Sequence, residues 1–250
     1  MNNAMETALR QLYDHWEAGI KYEQTDGYSR MFRMGVTEEY MEPGKRRILY
    51  YGQECLSMSK EKTTDWIRKY QLVQRAEREL PGFNEKPNYS PFWRFYRAIY
   101  KSQAGNAAVL WGNLNKLHLT DPADKSSSPR DRQGIARKSL EPIRDLNVLR
   151  ALSSPYGSDS RSVIQREIEV LQPTLIVFAI GPKSRYITSL AAAFGVLPEA
   201  VARLKPTKAD PAKRMEAALS VAVPVIWTYH PAYLSRIQGF DSVIDAIRSA

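Results

Sequence analysis

Cysteine is almost absent from this chain of 250 residues, which contains only Cys55. One cysteine excludes an internal disulfide and a metal cluster held by cysteines alone, and it is typical of a protein in a reducing compartment. No apolar run approaches the ~20 residues that a membrane helix needs. The first residues also lack the basic and then apolar layout of a signal peptide. We therefore expect a soluble, cytoplasmic protein without a membrane partner, a metal cluster or a cofactor.

Acidic residues are outnumbered by basic residues. The chain has 27 Asp and Glu against 36 Lys and Arg, which gives a formal net charge of +9 and a pI near 9.5. A basic surplus favours a polyanionic partner, most often nucleic acid, although this charge only modestly exceeds the usual range of soluble domains. The apolar fraction of 43% is sufficient for a sizeable core.

Short apolar runs alternate with helical patterns along the chain. Four runs have the length and composition of buried strands, in residues 46–54, 106–117, 173–181 and 223–231. Helical spacing is found in residues 2–23, 60–80, 91–100, 164–172, 183–195, 208–220 and 240–248. This alternation predicts an α/β fold around a parallel sheet. We expect one domain over residues 1–250, with an N-terminal helical extension (1–45) and a long loop or insertion (120–160).

Polar residues follow each predicted strand. In parallel sheets, ligands bind beyond the carboxyl ends of the strands, so these residues are expected to converge. They are Gln53, Glu54 and Cys55, then Asn113 and Asn115, then Gly181 and Lys183, and finally Tyr229 and His230. A carboxylate, an amide and an imidazole together form a candidate catalytic site. The chain contains neither a phosphate-loop nor a dinucleotide-binding glycine motif.

Three segments resemble motifs of the uracil-DNA glycosylase superfamily. Residues 52–55, GQEC, are similar to the Gly-Gln-Asp-Pro-Tyr or Gly-Glu-Ala-Pro-Gly run that follows the family's first strand. Residues 113–117, NLNKL, resemble the segment whose leading asparagine recognises the base. Residues 228–236, TYHPAYLSR, are similar to the final motif, which reads Thr-Tyr-His-Pro-Ala-x-Leu-Leu-Arg in one branch. The resemblance spans about residues 46–240.

This resemblance implies a three-layer α/β/α fold with a central four-stranded parallel sheet, and a monomeric, monofunctional DNA glycosylase. Such enzymes flip a nucleotide out of the duplex and hydrolyse its N-glycosidic bond, leaving an abasic site. Bond cleavage builds positive charge on the sugar and negative charge on the departing base. Glu54 occupies the place of the family's catalytic aspartate, and His230 matches the histidine that hydrogen-bonds O2 of the base.

The same resemblance implies residues that contact the base. Asn113 matches the base-reading asparagine, whose amide can pair with a pyrimidine edge, and Gln53 contributes mainly backbone groups. Phe92 or Trp93 is expected to supply the aromatic wall on which the flipped base stacks. The helical spacing of the aromatic residues around Phe92 equally favours core packing.

Contacts with the DNA backbone are implied at the end of the final motif. Leu234 falls where the family inserts a leucine into the duplex, a task suited to an apolar wedge. Ser235, Arg236 and Lys183 are candidates for contacts with flanking phosphates. No lysine is clearly placed as the nucleophile of a lyase, and Lys116 is the only candidate for that role near the predicted site.

The chain departs from the uracil-specific branch after the acidic residue. That branch has a Pro-Tyr pair there, and its tyrosine blocks bases that carry a group at C5, whereas this chain has Cys55 and Leu56. We therefore expect a pocket, with Cys55 beside the base, that accepts hydroxymethylated or glucosylated cytosine, as a phage-defence branch of the superfamily does. The alternatives are a uracil-DNA glycosylase of repair, a catalytically inactive DNA-binding module and a nucleoside hydrolase.

Overall fold

The computed structural model describes residues 4–19, 31–53, 63–117 and 161–250, and the α/β class predicted above is confirmed. The strands are β1 (Arg46–Gly52), β2 (Ala107–Asn113), β3 (Leu175–Ala179), β4 (Ala212–Arg214) and β5 (Val225–Thr228). The helices are α1 (Ala4–Gly19), α2 (Thr64–Ala76), α3 (Pro91–Ser102), α4 (Val163–Leu171), α5 (Ser184–Phe194), α6 (Pro198–Ala202), α7 (Glu216–Leu219), α8 (Pro231–Arg236) and α9 (Phe240–Ser249), with a 3-10 turn at Glu38–Met41.

The strands form one mixed sheet in the order β2-β1-β3-β5-β4. The four strands predicted from apolar runs are β1, β2, β3 and β5, and they pair in parallel. Strands β2, β3 and β5 are buried along their whole length, which explains why their sequences show continuous apolar runs and no alternation.

The expectation of a four-stranded, wholly parallel sheet is wrong, because β4 pairs antiparallel with β5 at the edge. The helix predicted over residues 208–220 is also wrong. A turn at Thr207–Asp210, in which the Thr207 N–H donates to the Asp210 carbonyl, precedes Pro211, and a proline disfavours helical geometry at the residue before it. The chain then extends as the short strand β4, and within the predicted range only α7 is helical.

Helices cover both faces of the sheet. In a strand, neighbouring side chains point to opposite faces, and Tyr50 and Tyr51 show which helices lie on each. The Tyr50 ring packs against Phe92 and Phe95 of α3. The Tyr51 hydroxyl donates to Glu167 of α4. Helices α2, α8 and α9 contact α3, whereas α1 and α5 contact α4.

Local sequence signals explain where several helices begin and end. Ser162 and Gln165 form a reciprocal capping box at the start of α4, which satisfies two backbone N–H groups that lack helical partners. Helix α3 begins with Ser90 at the N-cap position and Pro91 in the first turn, where a proline is tolerated. Gly195 ends α5 in the left-handed conformation, which glycine adopts at little cost.

A buried polar cluster around Glu167 of α4 joins the N-terminal helix to the segment after β2. The Lys116 ammonium lies 2.6 Å from the Glu167 carboxylate, and both side chains are almost completely buried. The hydroxyl groups of Tyr13 and Tyr51 donate to the same carboxylate. Burial lowers the pKa of Lys116, and Glu167 partly opposes that effect. The described part of the N-terminal region, including Leu9, Tyr13 and Trp16 of α1, thus belongs to the main core.

Among the helices that the structure describes, none has the length and apolar character to cross a membrane. The predicted loop or insertion over residues 120–160 lies outside the described residues.

We predict that Lys116→Met lowers the free energy of unfolding by about 3 kcal/mol, because removing one partner leaves the buried Glu167 charge uncompensated. Urea denaturation followed by circular dichroism measures this loss. The control is Asp245→Asn, which breaks the exposed Arg248–Asp245 pair and should cost less than about 1 kcal/mol. Equal losses in the two variants would contradict the prediction.

Candidate functional site

The candidate site lies at the carboxyl ends of the parallel strands. From β1 the chain passes to β2 on one side, whereas from β3 it passes to β4 and β5 on the other side. The connections therefore leave in opposite directions beyond the ends of β1 and β3, and such a point forms a crevice in α/β sheets. The Gln53 side chain lies at this point, where its Nε2 donates to the Ile180 carbonyl at 2.6 Å.

A row of four residues forms the last layer of the sheet on the α3 side. Gly52 pairs with Asn113, and Ala179 pairs with Thr228. The register between β1 and β3, extended by one residue beyond the Tyr51–Phe178 pair, brings Gly52 beside Ala179. The centre of the row therefore has very small side chains, and its two ends carry an amide and a hydroxyl. Asn113 and Thr228 are both buried.

Phe92 lies directly over the centre of this row. A Cβ atom placed on Gly52 would lie 2.7 Å from Cε2 of Phe92 and 3.0 Å from Oδ1 of Asn113. The Phe92 ring also faces the His230 imidazole in near-parallel orientation, with 6.4 Å between ring centroids. Phe92 is partly exposed, whereas Trp93 is buried and packs edge-on against Phe92. Of the two aromatic residues considered from the sequence, Phe92 is therefore the one beside Asn113 and His230.

The amide of Asn113 is buried, with 1% of the residue exposed. Its Oδ1 accepts a hydrogen bond from the indole Nε1 of Trp111 at 3.1 Å. Its Nδ2 has no hydrogen-bond partner within the described part of the chain. A buried donor without a partner costs free energy, so this group is a candidate for contact with a ligand acceptor.

The imidazole of His230 has one defined tautomer. His230 is the N-cap residue of α8, and its Nδ1 accepts from the backbone N–H of Ala232 at 3.2 Å. A backbone N–H can only donate, so in the neutral ring the proton is on Nε2. Burial, assisted by the positive charge of Lys183, lowers the pKa of His230 to about 4. At neutral pH the ring is therefore uncharged and has an Nε2–H to donate.

Backbone contacts hold the loops at this edge together. The N–H groups of Leu114 and Asn115 donate to the carbonyls of Gly52 and Gln53. The Gly181 N–H donates to the carbonyl of Thr228. Gly181 has a φ of +76°, and a Cβ there would lie 3.5 Å from the backbone nitrogen of His230. The positive φ explains why a glycine is needed after β3.

The structure thus brings Gln53, Asn113, Phe92 and His230 to one edge of the sheet. Glu54 and Cys55, which were predicted to be catalytic and base-binding, lie outside the described residues. Lys183, Ser235 and Arg236 are exposed, as contact with phosphate requires. The charge of Lys183 acts on His230, and α8, which begins after His230, ends with Ser235 and Arg236.

The prediction that Leu234 acts as a wedge is wrong in this conformation. Its side chain is 0% exposed and belongs to the core, whereas a wedge must be presented to the DNA. The reason is helical geometry. Residues 231–236 form α8, and the backbone N–H of Leu234 donates to the His230 carbonyl in its first turn.

Lys116 does not lie on the Asn113 side of the sheet. Its ion pair with Glu167 and its position over the Tyr51 ring place it on the α4 side. Asn113, Phe92 and Trp111 are on the α3 side. Asn115 is also buried, and its Nδ2, like that of Asn113, lacks a partner within the described residues.

Trp111 and Thr228 were not identified as site residues from the sequence. Trp111 precedes Asn113 by two positions in β2, and the period of two in a strand places both on one face. That spacing is a signal that could have identified it. Across residues 4–19, 31–53, 63–117 and 161–250, no group of three or more His, Cys, Asp or Glu side chains is arranged to hold a metal ion.

No protein-family model matches the chain, and no curated protein has a significantly similar sequence.

We predict that the pKa of His230 is near 4 and rises in Lys183→Ala, because that variant removes a nearby positive charge. It should stay below 6.5, since burial is the larger cause. NMR titration of the histidine ring signals measures it, with the His230 signal assigned by its absence in His230→Asn.

The control is Lys205→Ala, which removes an exposed lysine that does not contribute to this shift. An unchanged pKa in Lys183→Ala would contradict the assignment.

The lowered pKa of His230 also has a consequence for stability. Unfolded histidine binds a proton near pH 6.5, before the folded form does, so this group lowers the free energy of unfolding as the pH falls from about 6.5 to about 4.

Proposed function

We propose that the chain is a monofunctional DNA glycosylase. It binds DNA, flips a pyrimidine nucleotide out of the duplex and hydrolyses the N-glycosidic bond, leaving an abasic site. We further propose that its fold is the three-layer α/β/α fold of the uracil-DNA glycosylase superfamily, with β4 added at the edge of the parallel strands, and that it acts as a monomer in the cytoplasm.

One observation carries this proposal, namely that a buried and a partly buried hydrogen-bond donor belong to residues beside one aromatic ring. The Nδ2 of Asn113 and the Nε2–H of neutral His230 both belong to residues next to Phe92. A pyrimidine offers acceptors on its edge and a flat face for stacking, so its chemistry matches two donors and a ring. Asn113 and His230 belong to two of the segments that resemble the superfamily, and the adjoining end of β1 belongs to the third.

The chemistry requires these groups to be where negative charge develops. As the glycosidic bond breaks, the electron pair leaves with the base, and charge collects on its carbonyl oxygen. The Nε2–H of His230 donates to that oxygen. A donor aimed at a developing oxyanion typically contributes ~3–4 kcal/mol in the transition state. Because the pKa of His230 is about 4, the ring is a neutral donor and does not protonate the base at neutral pH.

The sugar requires a negative group and a water molecule. Glu54 follows Gln53 in the sequence, and Gln53 is anchored to the Ile180 carbonyl at the crevice. In the proposed mechanism the Glu54 carboxylate orients water towards the anomeric carbon and stabilises the positive charge on the sugar. The proton of that water ends on the carboxylate or in solvent, and the base leaves as an anion.

Exposed positive groups near the site suit a polyanionic substrate. Lys183 and Arg236 are exposed on either side of His230 in the chain, and the whole sequence carries a formal charge of +9. In our proposal these residues, together with Ser235, contact phosphates that flank the flipped nucleotide. Binding should therefore weaken steeply with salt, whereas binding of a free nucleoside would not.

The substrate we propose is a cytosine substituted at C5, hydroxymethylated or glucosylated as in phage DNA. Cys55 and Leu56 stand where the uracil-specific branch has a proline and a blocking tyrosine. The test incubates the protein with glucosylated phage DNA and with uracil-containing DNA, and then assays abasic sites. Release of uracil alone would overturn the proposed substrate, and DNA binding without any base release would overturn the proposed activity.

We predict that Glu54→Gln and His230→Ala each reduce base excision at least roughly tenfold, a loss of about 1.4 kcal/mol or more of transition-state stabilisation. Single-turnover assays on the DNA substrate from which the wild-type protein releases a base measure the rate. The matched controls are Glu199→Gln and His15→Ala, which change exposed residues and should retain the wild-type rate. Unaltered excision in both Glu54→Gln and His230→Ala would reject the site.

We also predict that borohydride traps no covalent complex between the protein and abasic DNA. A lyase forms a Schiff base through an accessible amine, and Lys116 is buried in its ion pair with Glu167. Electrophoresis after reduction, beside a known glycosylase with lyase activity, detects such a complex. A trapped band would show that the proposed monofunctional mechanism is wrong, whether it disappears in Lys116→Met or in Lys183→Ala.

A further inference from the structure

The orientation of the Asn113 amide is determined by a neighbouring side chain. The Nε1 of Trp111 lies 3.1 Å from the Asn113 side chain. An indole nitrogen can only donate, so the atom that faces it must be the amide oxygen. The nitrogen of the amide is then on the other branch, where it has no partner within the described residues.

This contact has consequences because an asparagine side chain is nearly symmetric in shape. A free amide can rotate by half a turn and exchange its donor and acceptor at little cost. A pyrimidine with an oxygen at position 4 offers a donor at N3 and an acceptor at O4. One with an amino group at position 4 offers the reverse pattern. An amide that rotates freely can pair with both, whereas an amide held in one orientation fits one better.

We propose that Trp111 determines which base the site accepts, by holding the Asn113 amide with its nitrogen towards the ligand. The matching ligand is the base whose acceptor, N3 in a cytosine or O4 in a uracil, lies opposite Nδ2. This inference rests on the proposed glycosylase function. Trp111 is a positioning residue, since it acts through Asn113.

The surroundings of Trp111 are consistent with a fixed indole. The residue is buried, and its ring packs edge-on against Phe32 and Trp93. Its backbone N–H donates to the buried Gln71 side chain. A ring held on several sides keeps its N–H in one direction, and Asn113 is the acceptor it meets.

The first experiment compares two duplexes that carry 5-hydroxymethyluracil or 5-hydroxymethylcytosine at one position, so that only the group at position 4 differs. The ratio of kcat/KM for the two bases is measured in wild type, Trp111→Phe and Trp93→Phe. We expect Trp111→Phe to move this ratio towards one by at least roughly fivefold, because the amide becomes free to rotate. Trp93→Phe, which changes an adjacent buried indole that is not bonded to Asn113, should leave the ratio within about twofold.

An unchanged ratio in Trp111→Phe, an equal shift in Trp93→Phe, or equal use of both bases by wild type would overturn the inference. Absence of any base release by wild type would instead reject the proposed function.

The second experiment needs no enzymatic activity, so it distinguishes failure of this inference from failure of the proposed function. It records the indole N–H signal of Trp111 by NMR in the free protein. In Asn113→Leu, which has no acceptor, the signal should shift and its exchange with solvent should accelerate at least roughly fivefold. In Asn113→Asp, which retains acceptor oxygens, the signal should keep its protection. An indole signal that is the same in Asn113→Leu and wild type would overturn the inference, whatever the enzyme assays give.

Discussion

The candidate site depends on the missing side chain at Gly52. The last residue of β1 lies between Asn113 on one side and the ring of Phe92 above it, and even one methyl group would overlap Phe92 at 2.7 Å. Only glycine lets α3 approach the sheet this closely without displacement of the ring or the strand. Because the Phe92 ring is next to both Asn113 and His230, the spacing of the proposed binding groups follows from this one close approach.

The two proposed base-binding groups at this edge, the side chains of Asn113 and His230, are polar without being charged. The His230 ring is neutral because it is largely desolvated and close to Lys183, and the Asn113 amide is neutral by nature. Hydrogen-bond donors of this kind recognise a carbonyl oxygen, and their interaction strengthens as that oxygen gains negative charge. A fixed cation in the same place would favour anions already in the ground state. In the proposed reaction the site therefore gains most of its interaction energy when the glycosidic bond breaks.

The sequence predicted the four parallel strands and most helices because their signals are local. An apolar run such as residues 175–179 is buried on both faces, and Pro91 and Ser162 mark where helices begin. It also predicted the convergence of Asn113 and His230, since strand ends meet at one edge. It failed for β4, which forms only by pairing with β5. It failed for Leu234 because a motif does not reveal which side of a short helix faces the core. The Trp111–Asn113 bond required the geometry of a side chain, which spacing alone does not give.

The ion pair of Lys116 has a consequence for the first helix of the chain. Lys116 follows Asn113 by three positions, and the carboxylate that holds it also binds the hydroxyl of Tyr13 in α1. The segment after the amide is therefore anchored, through one acidic group, to a helix about a hundred residues away in sequence. A shortened protein that begins after this helix would lose the hydrogen bond from Tyr13, even though none of the proposed pocket residues Gln53, Phe92, Asn113 and His230 lies in the helix. The N-terminal region is thus part of the support of the strand end from which the amide projects.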